Sequence, residues 1–530
     1  MNKNNLFQLR GIKFLIMAAA IVLIIVVSAV KYNGKEVNYS NSDAVWHTLL
    51  TIECYNETPV KVHKFLPIVS LGGEDDKWIS WGSTVSDDKG NYYYTSFSPA
   101  GYFLPYLFFR LFSLPVTESS LFLFNTILLC LSTLILMELI IYIYREYDKK
   151  YLLAMISAFI YVTFPEILHG MGITYWHQSI MQVTLILQIY AYKRRKDSDY
   201  FVCLFYILCL INPYIEWSGY VANVGFAIAE IATNVSKKAG IKNFIFIGLI
   251  TLASFNLFCV HYLSTINPSD FFGALKERFL ARNFSVPIPI SLLIKGYLSS
   301  FGRLFFRVIV IITIIVTVSY RGIRWLSDSI LIKNGDVVFV SLFPILENFL
   351  MKEHAVNYSY DRMKLSFLLC ILFCDLVYLL IKNINKKVVL NVGMVILSIY
   401  IGVTNLVHYK QSKAYIWEVN YRSSNIKLRD YIDKNYDDAV YGFNASVRGY
   451  INLLYKRGIH EWQDAHGIAV HVNEKNRRYG VLLLDSDNPK SVWSMNEISS
   501  ALIYDRYTDK YSYLYLNNGE VCVQDDFQNE

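Results

Sequence analysis

The chain has 530 residues, of which 54% are hydrophobic, 16% aromatic and 18% charged, with a formal net charge of +7 and a mean hydropathy of +0.31. That balance is too apolar for an ordinary soluble enzyme and too polar for a bare bundle of membrane helices. The excess positive charge does not point to nucleic acid, because the cations sit in short clusters between apolar segments, as in inward-facing loops of membrane proteins.

Residues 14–30 form an uncharged apolar run behind Lys3, Arg10 and Lys13. At about 17 residues it is near the lower limit for a spanning helix. A signal peptide is the competing reading, but no clear small-residue cleavage site follows, so the run is read as an uncleaved helix.

Residues 31–118 are polar and aromatic. Asp43 and His47 form an i, i+4 pair on an amphipathic helix expected over 43–55, lying along the membrane interface. A carboxylate there suits proton transfer. It equally suits the N-cap or first turn of a helix. Tyr92, Tyr93 and Tyr94 fit stacking on a sugar ring or an interfacial aromatic belt. Residues 98–112 read as a second interfacial helix, too short and too proline-broken to be a first choice for a span.

Further spans are expected near 119–144, 151–167, 174–192, 199–213, 217–234, 243–263, 304–319, 336–352, 365–382 and 388–407, about eleven in all. With the N-terminus inside, every inward loop is basic: residues 145–150, 193–196, Lys237 and Lys238 with Lys242, Arg321 with Arg324 and Lys333, and Lys382 with Lys386 and Lys387. This satisfies the positive-inside rule, and an odd helix count leaves residues 408–530 outside. The chain thus reads as a transmembrane domain, 1–407, that includes the 31–118 exported loop, followed by an extracytoplasmic α/β domain, 408–530. The latter carries an expected helix at 424–434, a strand at 438–443, a short helix at 450–455 and a buried strand at 478–484. Of eight cysteines, only Cys54 and Cys522 fall in exported regions, and spacing does not decide whether they pair.

The ionisable residues Glu166, His169, His177, Glu216, Arg278, Arg282, Glu347, His354, Asp361 and Arg362 fall at or near outward helix ends or in exported loops. An ion-coupled transporter would place its key charges near the midplane. This set instead suggests a cavity open to the outer face. His460, His466 and His471 fit no established metal spacing and read as a polar loop.

A first helix, a large exported loop with two interfacial helices, the acid Asp43 near its start and the run Tyr93-Tyr94-Thr95-Ser96-Phe97-Ser98-Pro99-Ala100-Gly101-Tyr102 together resemble the GT-C superfamily of membrane glycosyltransferases. A further element is Glu347-Asn348 through His354, followed by Tyr358, Tyr360, Asp361 and Arg362. Protein O-mannosyltransferases and lipid A aminoarabinose transferases belong to that superfamily, and the composition is similar to that of serotype-modifying O-antigen glucosyltransferases. The resemblance covers residues 1–407. It implies an α-helical polytopic GT-C-like fold in a bacterial inner membrane and a polyprenyl-phosphate-linked sugar donor. It also implies a glycan or lipid-linked acceptor, with Asp43 as catalytic base or metal ligand. The Asp-Glu pair of the O-mannosyltransferases is Asp43-Ala44 here. The second acid found after the third span has no clear match, leaving Glu166 and His177 as substitutes. No cofactor is expected, and a divalent metal is left open.

The chemistry has its own logic. An acceptor hydroxyl attacking the anomeric carbon needs a base, which a carboxylate supplies. The phosphate leaving group is already stable as an anion and needs cations rather than an acid, for which arginines near the membrane surface are suited. Arg278, Arg282, Arg303, His354 and Arg362 are the expected phosphate contacts, and His47, Tyr93, Tyr94, Glu166, His177, Glu216 and Tyr360 the remaining substrate contacts. The rival readings are a polysaccharide or lipid transporter, expected to show paired repeats and midplane charges, and an O-antigen polymerase or ligase, which carries its large exported loop late rather than first.

Overall fold

The computed structural model describes residues 3–32, 42–72, 77–79, 84–172, 174–233, 236–284, 288–383, 387–411, 421–446, 449–485 and 498–525. They divide into two compact units. One comprises residues 1–33, 119–260 and 279–412, and the other residues 34–118, 261–278 and 413–530.

The first unit is helical. Each segment expected to span contains a helix, but 151–167 is broken at Phe164 into Lys150–Thr163 and Pro165–Gly170. Gly11–Lys31, Glu118–Ile143, Lys237–Leu263, Ser359–Asn383 and Val388–Gln411 are each long and apolar enough to cross a membrane, and the chain is a multi-pass membrane protein. Ile290–Phe301 and Arg303–Ser319 form a further pair, bent by 88°. The bend falls at Gly302, whose φ of +84° suits a residue without a Cβ. A Cβ there would also meet Asn405 Oδ1 at 2.9 Å. Lys150–Thr163 and Asp199–Ile215 are shorter apolar helices. Asp199–Ile215 and Ser218–Thr233 are separate helices around Glu216 and Trp217. Their junction is tight, since a Cβ on Gly219 would lie 2.3 Å from the carbonyl carbon of Asn212. Ile314, Val318, Val388 and Val389 are exposed, as lipid-facing side chains are. Polar side chains hold the interior together, as expected where apolar burial does not discriminate between helix and lipid. The Asn125 amide donates to the Gly172 and Thr174 carbonyls at 3.0 and 2.7 Å, and Lys31 Nζ donates to the Met171 carbonyl at 3.0 Å. These bonds fix the turn after Pro165–Gly170.

The second unit gathers the early loop with the tail. Its early part holds the helix Ser42–Glu57, the helix Ala100–Leu111 and an antiparallel hairpin of Thr84–Ser86 with Tyr92–Tyr94. Asp87 builds the hairpin turn, its Oδ1 accepting from the backbone N–H groups of Lys89 and Asn91 at 2.9 and 2.8 Å. The tail carries a five-stranded sheet in sequential order. Ala439–Phe443 pairs parallel with Tyr479–Asp485, and the chain between them crosses over through the helices Gly449–Tyr455 and Ala465–Glu474. Ile498–Asp505, Lys510–Asn517 and Glu520–Gln524 continue as an antiparallel meander. Val440, Ile468, Val472, Leu482 and Leu502 form the core between helix and sheet. Asp464 caps its helix, accepting from Gly467 N–H at 2.6 Å, as an N-cap carboxylate does. The histidines expected in a polar loop pack as rings: His460 stacks on Trp78 at 4.7 Å and lies 4.4 Å from His471. All eight cysteines are free thiols.

Candidate functional site

In the helical unit the charges read as outward-end residues are buried and joined. Pro165 opens the short helix Pro165–Gly170 at its first position, where proline is tolerated because its missing N–H has no intrahelical partner. This sets Glu166 in the first turn, 3% exposed. Glu166 Oε2 accepts from Ser300 Oγ at 2.9 Å and lies 3.9 Å from Arg362 Nη2. Its Oε1 is buried with no hydrogen-bond partner among the described residues. Ser300 sits just before the Gly302 bend. Its hydroxyl accepts from Arg362 Nε at 2.7 Å, so its own proton points to Glu166. Arg362 also donates from Nη1 to the Ala355 carbonyl and, at 3.4 Å, to that of Val356. Gly296 leaves the room, since a Cβ there would stand 3.2 Å from the guanidinium.

The neighbouring residue extends the network. Asp361 accepts from Gln178 Nε2 at 2.5 Å through one oxygen and pairs with His354 Nδ1 through the other. The His354 ring lies 4.5 Å from that of Tyr358 and 6.4 Å from that of Tyr360. Arg282 is buried within electrostatic reach of Asp361. Lys364 pairs with Glu347, and Glu216 acts on both. Glu216 itself accepts from Ser218 N–H at 2.9 Å. Asn348 donates to Tyr297 Oη at 2.6 Å and to the Asp361 carbonyl at 3.2 Å. His177 heads His177–Arg194, fully buried against Trp176.

Charges buried together in a membrane-spanning unit are costly unless paired, and each here has a counter-charge or a hydrogen-bonding neighbour. The expected residues Glu166, Glu216, Arg282, His354, Tyr360 and Arg362 belong to this region. Sequence reasoning missed Ser300 and Gln178. A lone serine or glutamine in an apolar helix carries no pattern, and only the fold shows that they bridge the ion pairs.

The remaining expected residues, apart from Arg303 in the helical unit, lie in the other unit. Asp43 is in the first turn of Ser42–Glu57, and its side chain lies outside the described residues. His47, one turn on, is buried, with its ring 4.4 Å from Tyr94 edge-on and 5.2 Å from Tyr102. Tyr93 is fully buried, its hydroxyl directed to the Val62 carbonyl and to Asp87 Oδ2, both at 3.3 Å. Tyr262 Oη donates to the Tyr94 and Phe97 carbonyls at 2.8 Å, fixing the segment that the resemblance singled out. Arg278 is half-buried on the helix Pro268–Phe284, which also carries Arg282. Arg303 starts the second arm of the bent pair. Among the described residues no group of three or more His, Cys, Asp or Glu side chains is arranged to hold a metal ion.

Two solved structures of ArnT from Cupriavidus metallidurans superpose over nearly the whole chain. The structure bound to undecaprenyl phosphate gives a TM-score of 0.54 at 10% identity, covering 97% of this chain and 98% of that one. The apo structure gives 0.55 at 8% identity, covering 98% of each. The archaeal oligosaccharyltransferase AglB from Archaeoglobus fulgidus, in complex with an inhibitory peptide and a dolichol-phosphate, reaches 0.47 at 12% identity, too low to argue from. No family model matches the chain, and no curated protein matches it by sequence. At these identities the likeness is one of fold: the chain has the GT-C fold, helical and membrane-spanning, with a small C-terminal sheet domain.

Proposed function

We propose that this protein is a membrane glycosyltransferase that takes a hexose from a polyprenyl-phosphate-linked donor. It adds the sugar to a cell-surface glycan or lipid-linked oligosaccharide on the exported face of a bacterial inner membrane. The N-terminus is cytoplasmic and residues 408–530 form an extracytoplasmic domain. The observation that carries the reading is the buried network of Glu166, Ser300, Asp361 and Arg362 within a fold shared with a protein whose structure holds undecaprenyl phosphate.

The roles follow from the chemistry. The acceptor hydroxyl attacks the anomeric carbon and gives its proton to the Asp43 carboxylate. The bond from the anomeric carbon to the phosphate oxygen breaks, and the phosphate leaves as an anion. Arg282, Arg362 and Arg278 supply the cations that stabilise it. The buried, partnerless Oε1 of Glu166 is suited to accept from a sugar hydroxyl. A single displacement inverts the anomeric centre.

Binding of undecaprenyl phosphate, measured by native mass spectrometry on protein released from lipid, tests the phosphate assignment. Loss of one charge-assisted contact removes about 1.5–3 kcal/mol, so Arg282→Ala or Arg278→Ala should retain the lipid at least ~10-fold less well. Retention equal to that of the unmodified protein removes the residue concerned, and no retention by any form removes the reading. One observation favours a second reading, a polysaccharide or lipid transporter: the helix pair broken by 88° beside buried charges is also a feature of transporters.

A further inference from the structure

The second unit contains a cleft that none of the roles above uses. It has a volume of about 300 Å³ and is lined by the apolar Trp46, Leu49 and Leu453 and by the charged Glu53, Glu118, Arg429 and Lys456. Its walls come from the helix Ser42–Glu57 and from the tail, and they are tied across. Lys456 Nζ pairs with Glu53 Oε1 at 2.6 Å, while Arg429 is held by the Leu454 carbonyl at 3.1 Å and by Asp430. Both cations of the lining therefore have a carboxylate partner.

The chemistry of the lining selects a ligand class. Arg429 is paired with Asp430 and Lys456 with Glu53, and Glu118 adds a further acid, so the cleft has no spare positive charge to offer a phosphate or a uronate. It offers acceptors and donors side by side, which is what hydroxyl groups, at once donors and acceptors, require. An indole and two leucines in the same lining suit the apolar C–H face of a sugar ring. The volume lies at the small end of ligand sites, roughly one or two rings.

We propose that this cleft is a subsite for a neutral glycan, namely the acceptor chain of the transfer proposed above, a role that rests on that reading. Hydroxyls of the glycan bond to Glu53 and Arg429, and a ring packs over Trp46. The test is retention of the full-length protein, in lipid nanodiscs, on an array of immobilised neutral and anionic oligosaccharides. Leu453→Trp fills the cleft, and Glu53→Gln keeps its shape while removing one charged acceptor. Retention on neutral glycans is expected to fall about tenfold or more in each variant, the scale of one lost charge-assisted bond. If Leu453→Trp does not fold, Glu53→Gln alone decides. The proposal is overturned if no glycan retains the protein, if only anionic glycans do, or if both folded variants are retained as the unmodified protein is. The assay uses no donor and no turnover. Cleft-dependent glycan binding without sugar transfer would sink the glycosyltransferase reading and leave the site, and transfer without cleft-dependent binding would do the reverse.

Discussion

Arg362 and Glu166 are an ion pair by charge, but the geometry makes them unequal. Arg362 donates to Ser300 at 2.7 Å and to two backbone carbonyls, whereas its Nη2 stands 3.9 Å from Glu166 Oε2, beyond hydrogen-bond range. Arg362→Ala removes all of these donors and leaves a buried carboxylate without its counter-charge, a loss of about 3–5 kcal/mol. Glu166→Gln leaves an amide carbonyl that still accepts from Ser300, and Arg362 keeps its other acceptors, so the cost is about 1 kcal/mol. The double variant removes the stranded carboxylate as well and should recover part of the Arg362→Ala loss, since neighbours in one network are not additive. Thermal unfolding in detergent, followed by a thiol-reactive fluorophore, reads this directly, because Cys209, Cys370 and Cys374 are buried free thiols. The expected order of stability is unmodified, Glu166→Gln, double variant, Arg362→Ala. Equal losses for the two single variants would show that the direct ion pair, not the hydrogen-bonded arginine, holds the network.

Other outcomes are equally specific. Asp43→Asn should lower transfer by roughly two orders of magnitude or more while donor binding survives; near-normal transfer would make Asp43 a helix cap, which Asn replaces at little cost. Burial pushes the imidazoles of His63 and His460 down to about 4, with the charges of His471 and Lys475 adding to the effect at His460. The unfolded chain takes up these protons below its ordinary value near 6.5 and the folded one does not, so stability should fall as pH drops from about 6.5 toward 4. His63→Gln should flatten that slope, and a slope unchanged in the variant would remove His63 as its source. A reporter active only in the cytoplasm should be silent when fused after residue 410, and strong activity there would invert the proposed topology.

Much of the fold is legible where the pattern is local. Ile426, Leu428 and Ile432 recur at helical spacing, and the helix Tyr421–Asn435 follows. The apolar run after Arg478 becomes the strand Tyr479–Asp485. The meander from Ile498 onward stays hidden, because its register is set by partners such as Leu483 with Ala501 and Leu502 with Tyr513, and not by clean alternation within Ile498–Asp505. The site is half legible for a similar reason. Asp361 and Arg362 stand out as charges beside an apolar helix. Hydropathy along one dimension reads them, like Glu166 and His354, as charges near water, whereas the chain folds back and buries them at 3–5% exposure. The Gly302 bend and the bridging hydroxyl of Ser300 depend on contacts with Asn405 and Arg362, which no local pattern announces.

The central claim is that sugar leaves a lipid phosphate. The purified protein, reconstituted in sealed vesicles with a polyprenyl-phosphate-hexose labelled in the sugar, together with an extracted surface glycan, tests this most directly. The account predicts label on the glycan and an equal amount of free polyprenyl phosphate, both lost in Asp43→Asn. Label that crosses the vesicle membrane still attached to its lipid, with no free polyprenyl phosphate formed, would contradict it and identify a transporter.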